Sequence, residues 1–96
     1  MINELLPTLT PKIAALRRDL HAHPELAFDE RRTAEKVAAH LEALGLEVHR
    51  GIARTGVVAR LSAGTGTRAI GLRADMDALP LQELNSFPHH SVHPGR

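Results

Sequence analysis

A chain of 96 residues with 12 Lys and Arg against 11 Asp and Glu carries a net charge of +1, and its basic residues are spread out, which argues against nucleic acid and anionic membrane as partners. It has no cysteine, which excludes a disulfide framework and thiolate metal ligands among these residues. No run approaches the roughly 20 apolar residues of a membrane span, and the opening MINELLPTLTPK lacks the basic head and apolar run of a signal peptide, so a cytoplasmic protein is expected.

Thr10 followed by Pro11 predicts a helix start, because the hydroxyl can cap a free amide and proline suits the first turn. Ile13, Leu16 and Leu20 then recur at helical spacing, and Pro24 ends the helix at about His21 to His23. The linker HPELAF leads to Asp29, a predicted cap for a second helix whose apolar stripe is Ala34, Val37, Ala38, Leu41 and Leu44, with Gly45 as its left-handed stop. From there the period changes to two: Leu46 and Val48 alternate with Glu47 and His49, as in a strand. GVVARL (56–61) and AIGLRA (69–74) predict two more strands, joined through SAGTGT (62–67) as an antiparallel hairpin. The order helix-helix-strand-strand-strand gives an α/β class with at least one unpaired sheet edge. Beyond Pro80 neither period continues, and no internal repeat is present. Phe28 and Phe87 are the only aromatics, so the core must be thin, as in any chain that buries little more than about 60% of its unfolded surface.

RADMDALP (73–80) is the sharpest chemical feature. Asp75 and Asp77, two apart on extended backbone, point the same way and can converge on one cation or share a proton, and ligand sites in α/β folds lie beyond the carboxyl ends of strands. The plainer alternative is a strand end whose loop two acids solvate. His21 and His23, and separately His89, His90 and His93, have spacings that suit zinc or nickel, so together they could form a metal carrier. Against this, His21 and His23 have an electrostatic reason to sit at a helix C-terminus, and the later cluster lies in a short, unanchored segment. GTGT (64–67) lacks the GK[ST] of a phosphate loop and reads as a turn. The Arg17/Arg18 and Arg31/Arg32 pairs read as solvated helix faces.

Three collinear stretches, LRRDLHAHPELAFDERRTAEKVAAHLEALGLEV, RTGVVARL and AIGLRADMDALPLQELNSFPHHSVHPGR, together resemble the N-terminal part of the hippurate hydrolase-like amidohydrolases. These are bacterial relatives of aminoacylase and carboxypeptidase, and of the plant hydrolases that free auxin from amino-acid conjugates. The resemblance implies the start of a three-layer α/β/α metallohydrolase catalytic domain, with a lid and dimerisation domain absent from residues 1–96. It also implies hydrolysis of the amide bond of N-acyl amino acids, with two divalent ions (Zn, Mn, Co or Ni) in full-length relatives and a homo-oligomer only where the lid domain is present. In the family a Met-His-Ala-Cys-Gly-His-Asp-Gly-His run, which carries metal ligands, follows HPGR, and a Glu-Glu pair with the general base comes later still. None of these is among the 96 residues, so the chain alone is expected to bind no metal and to be inactive. Against the wider superfamily motif His-x-Asp-x-x-Pro, Asp75 falls at the His, Asp77 at the Asp and Pro80 at the Pro. The resemblance therefore implies an orienting role for Asp77 and a lesser one for Asp75, which stands where the ligand histidine has been lost. A reading of another class, suggested by the unpaired edge beside GVVARL, is a small interaction module that pairs a strand with a partner sheet.

Overall fold

The computed structural model describes all 96 residues and contains α1 (Ile2–Ala22), α2 (Arg31–Ala43), β1 (Glu47–Ile52) and β2 (Gly56–Arg60). Residues group into two compact units, Met1–Pro24 with Leu79–Arg96, and Glu25–Ala78.

In the second unit α2 packs against a two-stranded antiparallel sheet. Ala38 is fully buried, and Ala34, Val37 and Leu41 of the expected stripe are half-buried beside it. Leu44 is instead largely exposed, because it sits at the C-cap where the chain turns away. Gly45, at φ +87°, makes the expected stop. Its amide donates to the Glu42 carbonyl at 2.9 Å and the Leu46 amide to the Leu41 carbonyl at 3.2 Å, the paired bonds of a Schellman ending. At the other end the cap is not Asp29. Glu30 occupies the N-cap position, and Asp29 bonds through its backbone, its carbonyl accepting from the Arg31 amide at 2.8 Å and its amide donating to the Leu26 carbonyl at 2.9 Å.

The hairpin is β1–β2, one connection earlier than the sequence predicts, with Val48 opposite Ala59 and Glu47 opposite Arg60. Its three-residue turn, 53–55, holds Ala53 at φ 50° and Arg54 at φ 83°, left-handed conformations of the kind that tight hairpin turns use. Each costs a side-chain-bearing residue about 1–2 kcal/mol. Gly56 follows out of necessity: a Cβ there would stand 2.5 Å from the Ile52 carbonyl oxygen. A bulge between His49 and Ile52 interrupts the register. On the solvent side Arg50 holds the carboxylates of Glu35 and Glu42, tying β1 to α2. The Arg50 guanidinium in turn keeps the Glu35 carboxyl below its ordinary pKa.

The third predicted strand does not form. Residues 61–79 contain no strand, and Ile70 and Leu72 are 90% and 96% exposed. An isolated strand has no ladder to complete its backbone hydrogen bonds, and the sheet holds only β1 and β2, so residues 69–74 pair with neither.

The first unit is α1 with the segment that follows Ala78. α1 begins eight residues before Thr10, so Pro7 and Pro11 lie inside the helix, and it buries no residue. Of the predicted stripe, Leu16 and Leu20 are half-buried and Ile13 is 51% exposed. The Val92 amide donates to the Ala22 carbonyl at 2.9 Å, which fastens the later segment to the helix C-terminus.

Candidate active-site segment

Within residues 75–78 exposure alternates: Asp75 and Asp77 are exposed, while Met76 and Ala78 are half-buried. The two carboxylates thus share one side of the chain, as their spacing predicts. Their surroundings differ. Asp75 pairs with Arg73 at 2.7 Å, whereas no hydrogen bond or ion pair engages the Asp77 carboxylate. The segment is fastened just past Asp77, where the Ala78 amide donates to the Glu25 carbonyl at 2.8 Å.

Two glutamates that composition and spacing alone did not single out organise this unit. Glu25, from HPELAF, reaches the start of α2. One carboxylate oxygen accepts from the Thr33 amide at 2.6 Å and the Thr33 hydroxyl at 2.7 Å, and the other from the Arg32 amide at 3.0 Å. Burial opposes its ionisation, but these bonds and the Arg32 charge outweigh that and leave its pKa below the ordinary value. Glu30, 7% exposed, accepts from the Thr55 hydroxyl of the hairpin turn and from the Phe28 amide, the latter at 3.1 Å. The Thr55 bond is the first cause of its lowered pKa. Phe28 is itself left-handed at φ 67°, and the Arg54 guanidinium lies 5.0 Å from its ring centroid. A groove of about 480 Å³ opens here between Phe28, Arg31, Glu35, Arg50 and Arg54. Neither Asp75 nor Asp77 lines it.

The histidines fall in the first unit. His21 donates to Glu83 at 2.7 Å, and Glu83 also accepts from the Asn85 amide nitrogen at 2.9 Å and the Ser91 backbone amide at 2.6 Å. Led by the Asn85 bond, these donors pull the Glu83 carboxyl down to about 2. His23 donates through Nδ1 to the Asp19 carbonyl, and His90 through Nδ1 to the Phe87 carbonyl. His89 stacks on Phe87 with ring centroids 3.9 Å apart; burial first, then the charges of Arg18, His21 and Arg17, lower its pKa. His21 and His89 lie 5.8 Å apart and His23 and His93 6.4 Å apart by ring centroids. No group of three or more His, Cys, Asp or Glu side chains is placed to hold a metal ion. The five-histidine carrier therefore does not assemble: His23 and His90 are spent on carbonyls, His21 on Glu83 and His89 on Phe87, and the His93 ring meets only His23. No helix is long and apolar enough to cross a membrane.

Glu25, Glu30 and Glu83 all titrate below the ordinary glutamate value of 4.5. A depressed folded-state pKa adds stability that is complete above the unfolded value and is lost as pH falls through the folded one. Helical ellipticity should therefore hold from neutral pH to about 4.5 and fall between there and about 2, where Glu83 protonates. Glu83→Gln should remove the lowest part of that transition; an unchanged acid profile would contradict the assignment.

No family model matches the sequence. Among curated proteins, it is 47% identical over 95 residues to a probable hydrolase of Synechocystis, covering 98% of this chain and 24% of that protein. It is 47% identical over 91 residues to the hippurate hydrolase of Campylobacter jejuni, covering 95% and 24%. With an N-acyl-L-amino acid amidohydrolase of Geobacillus stearothermophilus it shares 45% over 95 residues, covering 98% and 25%. Among solved structures it superposes on the Bacillus subtilis YXEP protein, described as a dinuclear metal binding peptidase from the M20 family. The TM-score is 0.83 at 38% identity, over 88% of this chain and 24% of that one. The chain thus spans about a quarter of the length of these relatives. Shared sequence along almost the whole chain and a shared fold agree: it belongs to the M20 family of amidohydrolases and metallopeptidases and matches the N-terminal part of the M20 peptidase domain.

Proposed function

We propose that these residues serve a hydrolase that cleaves the amide bond of small N-acyl amino acids in the cytoplasm, and that they supply the Asp77 side of its reaction centre. The observation that carries this reading is the Asp77 carboxylate, exposed and unengaged beside an anchored backbone, in a chain that matches hippurate and N-acyl-L-amino acid hydrolases. A carboxylate held in place by its backbone yet free at its oxygens is suited to orienting a neighbouring group. Asp75, already paired with Arg73, contributes less. The residues present do not by themselves fit the dinuclear centre named for the YXEP protein, since they offer no cluster of three ligands, and no step is assigned through it.

Two experiments test this reading. Residues 1–96 alone, given manganese, zinc or cobalt, should release no benzoate from hippurate above a metal-only blank; turnover would overturn the assignment of the remaining machinery to sequence outside them. Set in place of the matching quarter of the Geobacillus amidohydrolase, the same residues should restore hydrolysis of its N-acyl amino acid substrates.

The bare side chains of Ile70 and Leu72 favour a second reading, a strand-pairing interaction module. Concentration-dependent dimers in size exclusion, with amides 69–74 protected only in the dimer, would support it.

A further inference from the structure

We propose that Glu25 is a positioning residue for the Asp77 segment. The inference deepens the reading above and rests on it for the role of Asp77. Glu25 joins two elements through two different groups. Its carboxylate takes three hydrogen bonds from the first turns of α2, namely the Arg32 amide, the Thr33 amide and the Thr33 hydroxyl. Its carbonyl takes the Ala78 amide, one residue past Asp77.

The geometry makes the first connection control the second. A residue in an irregular linker is free to rotate about φ and ψ, and its carbonyl direction follows those angles. Three bonds to a helix start, in a carboxylate that accepts from two backbone donors and a hydroxyl, fix the side chain against a rigid element and so fix the direction of the carbonyl. Charge-assisted bonds of this kind are about twice as strong as neutral ones. Thr33 is 5% exposed, so water cannot readily replace Glu25 as its partner. Met76 and Ala78, the half-buried members of the alternation, are the inner side of the same segment. Holding the Ala78 amide therefore keeps Asp77 on the outer side, with its oxygens free.

Amide hydrogen exchange on the 96-residue chain tests the coupling without any appeal to catalysis. The Ala78 amide should be protected in the native sequence. Glu25→Ala should speed its exchange at least tenfold while β1 and β2 amides change less than twofold, and Glu25→Gln, which retains an acceptor oxygen, should restore part of the protection. Loss of protection at Arg32 and Thr33 with Ala78 unchanged would show that Glu25 only caps α2 and would overturn the proposal. So would an unprotected Ala78 in the native sequence. Should Glu25→Ala speed all amides alike, Thr33→Val decides, because it removes a single donor: faster exchange at Ala78 by threefold or more supports the coupling, and no change refutes it. An inactive chimera would leave this result standing, so failure of the amidohydrolase reading is separable from failure of this one.

Discussion

In the chimera that carries residues 1–96 on the Geobacillus amidohydrolase, Asp77→Asn should lower kcat/KM for N-acyl amino acid hydrolysis by about 10–100-fold, the usual cost of losing a group that orients a reaction centre from outside it. The substitution keeps shape and removes charge, so ellipticity should not change. Asp75→Asn should cost about twofold or less, because its carboxylate is already committed to Arg73 on an exposed surface where ion pairs contribute little. The contrast between two neighbouring acids is the informative part. Equal losses would mean that the pair acts together, and no loss at Asp77 would remove it from the site.

The second large effect is on stability. Glu30→Ala should destabilise the Glu25–Ala78 unit by about 1.5–3 kcal/mol, the range for hydrogen bonds to a charged group. Glu30 is a buried carboxylate whose two oxygens satisfy the Phe28 amide and the Thr55 hydroxyl. Phe28, Ala53 and Arg54 are the three residues other than glycine with positive φ, and Glu30 bonds Phe28 itself and Thr55, which follows Arg54. Without it, nothing in the two hydrogen bonds offsets the strain of the hairpin turn. Urea denaturation followed by helical ellipticity measures the change. Thr55→Val, which removes one of the two donors, should show part of it. A loss below about 0.5 kcal/mol, the usual bound for surface substitutions, would mean the turn is held by something else.

How far the sequence could be read follows from where local signals were unambiguous. α2 and its ending were legible because the stripe Ala34, Val37, Ala38 and Leu41 and the stop at Gly45 act within one helix. The start of α1 was misplaced because prolines normally mark first turns, and Pro7 and Pro11 sit instead inside a longer helix. The hairpin was displaced by one connection because glycine is the usual sign of a turn. SAGTGT is rich in it, while the actual turn uses Ala53 and Arg54 in left-handed conformations. The visible trace was Gly56, whose place leaves no room for a side chain. AIGLRA has the composition of a strand, but composition cannot supply a partner, and none adjoins it here. At the candidate site, Asp75 and Asp77 could be picked out by spacing. Glu25, Glu30 and Glu83 could not, since each acts through partners between 2 and 62 positions away, and a single acid in a linker or loop carries no periodic signature. The E of HPELAF precedes a helix start, and that was the one cue to Glu25.

If these residues form a working part of an M20 hydrolase, the chimera with the native residues 1–96 in place should turn over substrate. Hydrolysis of N-acyl amino acids should then lie within about tenfold of the parent enzyme, a loss of about 1.4 kcal/mol in transition-state stabilisation at most. A chimera that folds and binds metal as the parent does, yet releases no product, would contradict that role.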